Sequence, residues 1–276
     1  PIDGLPDYRE AVRKMVVGDA VDADRVAVLQ TPGGTGALRT TAGFLADQLA
    51  PIRIWFPTPT WANHNAVFSS EGLPIEAYRY LGADRTSFDF EGMLDDLRTK
   101  TSAGDAVLLH ACCHNPTGVD PSKDQWSEIA SVLAEKQLLP VIDFAYQGFG
   151  NGLEEDAVAI STILNACDEA IICSSFSKNF GLYGERVGAL SLVASDASTA
   201  KAAQSQLKRV VRSNYSNPPR HGGAIVATVL DDAGLTSDWH QELAEMRDRI
   251  KNLRQQFVET MKTARSGHDY GFLLNQ

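Results

Sequence analysis

What most constrains this chain is a rhythm. Short apolar runs alternate with longer amphipathic stretches along almost its whole length. Runs at Val26–Leu29, Ile52–Phe56, Ala106–His110, Leu138–Ile142, Ala170–Cys173 and Val187–Leu192 are rich in Val, Ile, Leu and aromatic residues, as buried strands require. Between and after them, helical spacing runs through Thr35–Gln48, Asn63–Ser70, Met93–Lys100, Pro121–Lys136, Ala157–Ala166, Ser195–Arg212, Arg220–Leu230 and Thr236–Thr263. Such alternation predicts an α/β fold, with a mostly parallel central sheet flanked by helices. Pro121 reads as a helix start, because a first-turn proline has no N–H to leave unpaired. The segment YGFLLNQ at the end reads as the beginning of another strand.

Ligands of open α/β sheets bind beyond the carboxyl ends of the strands. Three consecutive predicted strands end in polar, glycine-bounded segments: ACCHNPTG, DFAYQGFG and SSFSKNFGLYGER. A fourth, Thr31-Pro32-Gly33-Gly34-Thr35-Gly36, joins a strand to a helix and can turn backbone N–H groups toward an anion. It reads equally as a tight turn, and it lacks both the Walker lysine and the G-x-G-x-x-G spacing. Lys178 follows a buried-looking strand and small hydroxyl residues, with no acid within four positions. A lysine so placed can act as an amine nucleophile, although a lone loop lysine is more often solvated. Arg186 can grip a phosphate or serve a structural ion pair. Asp143 can hold a proton on a ring nitrogen or cap its own turn, and Tyr146 and Asn115 can hydrogen-bond one ligand oxygen. His110, Cys112, Cys113 and His114 do not have zinc spacing, so no metal site is expected.

Composition narrows the class. The net charge of −10 argues against nucleic acid or an anionic membrane as the main partner. No apolar run approaches the ~20 residues of a membrane span. Four cysteines, two of them adjacent, do not form a disulfide framework, which points to a reduced, cytoplasmic location. The chain opens at Pro1 without a methionine and stops at Gln276 in a strand-like segment, so a partial chain is expected.

Taken in order, TPGGTGALR, PTWANH, HACCHNPTGVDP, DFAYQGFGNGLEEDA, SSFSKNFGLYGERVGAL and RSNYSNPPRHG resemble the fold type I pyridoxal-phosphate enzymes. Within that group they are similar to the class I aminotransferases of aspartate and aromatic amino acids. The resemblance covers nearly the whole chain. It implies pyridoxal 5'-phosphate as cofactor, and ping-pong transamination between aspartate, glutamate or aromatic amino acids and 2-oxoglutarate or oxaloacetate. Lys178 would be the Schiff-base lysine and proton carrier, and Asp143 would pair with the pyridinium nitrogen. Tyr146 and Asn115 would bond the phenolate oxygen. Gly34, Thr35, Ser175, Ser177 and Arg186 would hold the phosphate. Trp61 would stack on the ring and, with Asn115, border the substrate. His64 would support Asp143, with His110 behind it. Arg212 would reach a neighbouring subunit's site and bind a substrate carboxylate, which implies a homodimer with shared sites.

The family carries further chain at both ends. Residues 1–235 are therefore expected to form the cofactor-binding large domain, shortened at its N-terminus. Residues 236–276 are expected to be a long helix leading into a shortened smaller domain. Other readings keep the cofactor: aromatic transamination, decarboxylation, β-elimination, or a regulatory domain that only senses it.

Overall fold

The computed structural model describes residues 1–264 and 267–276. In chain order the elements are α1 (Pro6–Val16), β1 (Val26–Pro32), α2 (Gly33–Gln48), β2 (Ile54–Thr58), α3 (Asn63–Ser69), β3 (Ile75–Arg79), α4 (Phe90–Thr99) and β4 (Ala106–His110). They continue with α5 (Lys123–Glu135), β5 (Leu139–Phe144), α6 (Val158–Ala166), β6 (Ala170–Ser175), β7 (Val187–Val193), α7 (Ala197–Asn214), α8 (Arg220–Asp231) and α9 (Ala233–Thr263).

The strands form a seven-stranded sheet in the order β1-β7-β6-β5-β4-β2-β3. Every pairing is parallel except the two that β7 makes, with β1 and β6. The central strands are buried on both faces, and their alternating side chains build two cores. Val107, Leu109, Ile142 and Ile172 pack with α1, α4, α5, α6 and α8 on one side. Leu108, Val141, Ile171 and Cys173 pack with α2, α3 and α7 on the other. Helices on both faces explain why these strands read as continuous apolar runs.

Apart from the terminal segment, each predicted strand and helix is present, Ala106–His110 with the same ends and the others with shifted ends, and the differences have physical reasons. Pro121 lies just before α5; Ser122 is the cap, accepting from Gln125 N while its own N–H donates to the Gln125 side chain. Helix α1 was hidden by the prolines and glycine around it. Pro6 stands in its first turn, and Tyr8, Val12 and Val16 form a buried stripe worth about 1.5–3 kcal/mol per side chain. Strand β3 escaped notice because it is an edge strand carrying exposed Glu76 and Arg79. The expected terminal strand is wrong: Gly271–Asn275 forms a 3₁₀ turn. A strand needs a ladder partner, and this segment pairs with none of the seven strands. This segment instead sits against α9, with Tyr270 edge-on to Phe257 at 5.5 Å.

The reversed strand brings a cation to the ligand-binding edge of the sheet. Because β7 runs backward, the residue before it, Arg186, lies at the same sheet edge as the ends of β1, β4, β5 and β6. There β7 meets the start of α2. A Cβ at Gly188 would collide with the Gly33 carbonyl carbon and lie 2.6 Å from Gly33 O and 2.7 Å from Gly34 N. The backbone of the glycine loop therefore rests directly on β7, and Tyr8 Oη donates to Gly188 O at 2.7 Å from the opposite side. Gly188→Ala is expected to cost about 3 kcal/mol, seen as a thermal midpoint lowered by roughly 5–10 °C.

Candidate active site

The ends of β1, β2, β4, β5 and β6 and the start of β7 supply the site. At β1, Gly33 takes a φ of +76° and opens α2, turning the first backbone N–H groups outward. A Cβ on Gly33 would strike the Arg186 guanidinium, whose Cζ would lie 3.0 Å away, so the loop and the arginine share one small space. Arg186 Nη1 donates to Tyr183 O at 2.9 Å and to Ser177 Oγ at 3.4 Å, and Ser177 N donates to Ser175 Oγ at 3.3 Å. Gly34, Thr35, Ser175, Ser177 and Arg186 thus line one end of one pocket.

The turns after β4 and β5 are each folded around a carboxylate. Asp120 accepts from Cys113 N at 2.5 Å and His114 N at 2.8 Å, which brings Asn115 across to donate to Tyr146 Oη at 3.3 Å. Asp156 accepts from Gly148 N, Gly150 N and Asn151 N at 2.8, 3.0 and 2.8 Å, closing the turn that carries Tyr146. Neither aspartate was singled out in the sequence. Both sit where a bland turn acid would, and only the folded loop shows what each accepts.

Asp143, at the end of β5, is buried on the pocket wall. Its Oδ2 lies 2.9 Å from His64 Nε2, presented by α3. His64 Nδ1 lies 2.8 Å from Thr60 Oγ1, which lies 3.3 Å from His110 Nε2. Thr60 is the link that sequence reasoning missed; a threonine in PTWANH has no distinguishing spacing. Trp61 and His110 line the pocket, whereas His64 lies behind Asp143.

Lys178 follows β6 and is half-buried, with Nζ 4.5 Å from the centroid of the Tyr146 ring. Burial pushes its ammonium below the usual lysine range; the Asp143 carboxylate opposes that shift and Arg186 adds to it. Burial would raise the Asp143 carboxyl, but the His64 hydrogen bond, helped by the fields of His64, His110 and Lys178, holds it below the usual range. Burial takes His110 down to about 4, so its ring is neutral near pH 7. Burial also raises the Tyr146 phenol, against the hydrogen bond from Asn115.

The structure therefore gathers Gly34, Thr35, Trp61, His110, Asn115, Asp143, Tyr146, Ser175, Ser177, Lys178 and Arg186 around one pocket, joined by Leu38, Cys112, Ala145 and Tyr183. Arg212 is not among them. It is exposed in the last turn of α7, where Nη1 donates to Ser216 Oγ at 2.6 Å. Chemically the pocket offers an anion cradle at one end, a buried, His64-bonded carboxylate on its wall, a phenol–amide pair and an amine between them.

The family described as aminotransferase class I and II matches residues 1–275. The aspartate aminotransferase of Haemophilus influenzae is 48% identical over 278 residues, covering 100% of this chain and 70% of that protein. The aspartate aminotransferase of Escherichia coli K12 is 46% identical with the same coverage. A solved aromatic-amino-acid aminotransferase from Burkholderia pseudomallei, covalently bound to pyridoxal phosphate, superposes with a TM-score of 0.96. It is 46% identical and covers 100% of this chain and 70% of its own.

The charges around Lys178 make a signed prediction. The neutral amine is the reactive form, and a lowered pKa enlarges its share at a given pH. Arg186→Met removes a positive neighbour and should move the midpoint of Lys178 labelling to higher pH. Asp143→Asn removes a negative one and should move it lower. Labelling of cofactor-free protein with an amine-reactive reagent, read by peptide mass spectrometry across pH, measures both.

Proposed function

Because the chain belongs to the class I and II aminotransferases, we propose that this pocket exchanges amino groups between dicarboxylic amino acids and their 2-oxo acids. The family is pyridoxal-phosphate dependent, and its substrates are amino and oxo acids. The observation that carries the reading is Lys178: a half-buried amine over the Tyr146 ring, in one pocket with a buried carboxylate and an anion cradle.

The residues fit the cofactor. The end of the pocket lined by Gly34, Thr35, Ser175, Ser177 and Arg186, with its hydroxyls, helix start and guanidinium, suits a phosphate. Asp143 suits a protonated ring nitrogen, and Asn115 with Tyr146 suits a ring oxygen. Trp61 supplies an apolar wall. When bound, pyridoxal phosphate provides an aldehyde for amines and a ring that draws electrons from the substrate α-carbon.

Around it the chain does the positioning and moves the protons. Asp143 keeps the ring nitrogen protonated, because its own carboxyl is held ionised by His64. Thr60 and neutral His110 hold His64 in place from behind. Lys178 Nζ, whose charged form burial disfavours, takes the proton from the substrate α-carbon and returns it at the next position. Two half-reactions at one pocket make the cycle ping-pong.

Arg212 gives substrate selection and assembly. Exposed and off its own pocket wall, it would enter the site of a second copy and pair with the distal carboxylate of aspartate or glutamate. The assembly is then a homodimer with shared sites. Aromatic amino acids form a second substrate class, supported by the aromatic aminotransferases among the similar structures. Residues 1–235 form the cofactor-binding unit. In α9, Met246, Ile250, Leu253 and Phe257 make an exposed apolar stripe that suits a smaller unit. The four free cysteines suit a reducing cytoplasm. Among the described residues, no helix is long and apolar enough to cross a membrane.

Borohydride reduction of the holoenzyme should fix the pyridoxyl group on Lys178, and mass spectrometry should find it there. Lys178→Ala should lower turnover by at least about 10²–10⁴-fold. Arg212→Gln should lower kcat/KM for aspartate by about 10–100-fold and leave phenylalanine within a few-fold. Mixing Lys178→Ala with Arg212→Gln subunits should restore activity toward aspartate through hybrid dimers; no recovery would count against shared sites.

A further inference from the structure

Helix α9 meets the site at a point that the proposed chemistry does not use. Trp239, two turns into the helix, is buried, and its Nε1–H donates to the backbone oxygen of Asn179 at 2.7 Å. Asn179 is the residue after Lys178. The Trp239 ring also stacks on Phe180, with centroids 4.3 Å apart and an interplanar angle of 22°. Phe180 in turn meets Phe176 edge-on at 5.7 Å. Asn179 and Phe180, the two residues that follow the lysine, are thus held by one side chain from another element.

The same helix grips the neighbouring turn. Leu243, one turn on, packs against Gly148 and its neighbourhood, where a Cβ on Gly148 would lie 3.1 Å from Leu243 Cγ. Arg247 Nη1 donates to Gly148 O at 3.3 Å, and Lys251 Nζ donates to Asn151 Oδ1 at 3.1 Å. The two turns are also tied to each other, since Asn179 Nδ2 donates to Gln147 O at 3.3 Å. Gln147 follows Tyr146. One face of α9, through Trp239, Leu243 and Arg247, therefore spans the turn carrying the amine and the turn carrying the phenol.

We propose that Trp239 is a positioning residue. Through its Nε1–H on Asn179 O, it holds the main chain behind Lys178 in register with the Tyr146 turn, so that the amine stays over the phenol ring. The bond is buried and directional, and it acts on main chain beyond the last bond to β7, from Phe176 N to Val187 O at 3.0 Å. Loss of the donor leaves a buried carbonyl unpaired next to the amine, which local opening would relieve. This role rests on Lys178 being the reacting group.

Trp239→Phe tests it, because phenylalanine keeps an aromatic ring against Phe180 and removes the donor. Hydrogen exchange of the purified holoenzyme and of its cofactor-free form should show the amides of residues 178–181 exchanging about 5–10-fold faster, with strand β4 unchanged. With aspartate and 2-oxoglutarate, kcat should fall by a similar factor while KM for aspartate stays within twofold. Unchanged exchange at 178–181, or acceleration spread equally through β4, would overturn the inference, as would a loss confined to KM. Borohydride reduction of the unaltered enzyme separates the two readings. A pyridoxyl group on Lys178 with unchanged exchange in Trp239→Phe sinks this inference alone. A pyridoxyl group on another lysine sinks the functional reading, and this role with it.

Discussion

A carboxylate removed from water must find partners inside the protein, and the buried side chain of Asp143 is the group around which this molecule is arranged. His64 meets one oxygen at 2.9 Å, and the positive field of Lys178 reaches it across the pocket. Meeting that demand requires an α3 helix on one sheet face, the end of β5 at the centre and the end of β6 beside it. Thr60 and His110 then complete a polar chain behind the histidine. The network is satisfied outward from the carboxylate, and Asp143 itself borders the pocket.

The turns that carry Asn115 and Tyr146 obey the same requirement on a smaller scale. Neither has a helix or strand ladder to satisfy its backbone. Asp120 and Asp156 take two and three N–H groups respectively and give each turn one shape. Asn115 and Tyr146 are brought within 3.3 Å by this folding and not by any contact along the chain. At the far end, glycines and the reversal of β7 allow Arg186 to approach the helix start closely. An anion cradle and a cation on different elements become one site.

Much of this was legible in the sequence, and the reason is specific. Lys178, Asp143, Asn115, Tyr146 and Arg186 follow apolar runs or stand just before one, so the rule that ligands gather at strand ends located them without any structure. Their motifs then carried a family resemblance over nearly the whole chain. Residues whose importance lies in a partner were not legible. Thr60 matters because two histidines from other segments reach it. Trp239 matters because α9 crosses behind the turn after β6. Asp120 and Asp156 matter because of loops that close on them. The missed elements have comparable causes: α1 was masked by proline and glycine, β3 by its charged edge.

From the sequence alone came the α/β class and most elements of both cores, since burial on both faces of a strand, or one face of a helix, leaves its mark in the order of apolar residues. The strand-end rule located Lys178, Asp143, Asn115, Tyr146 and Arg186, while Trp61 and Arg212 came only through the family resemblance. Tertiary structure alone decided which strand is reversed, that the terminal segment is a 3₁₀ turn, and which atoms meet. Those outcomes depend on ladder partners and on approaches between distant segments, as between Tyr8 and Gly188, 180 residues apart. Periodicity along a chain carries no information about contacts of that kind.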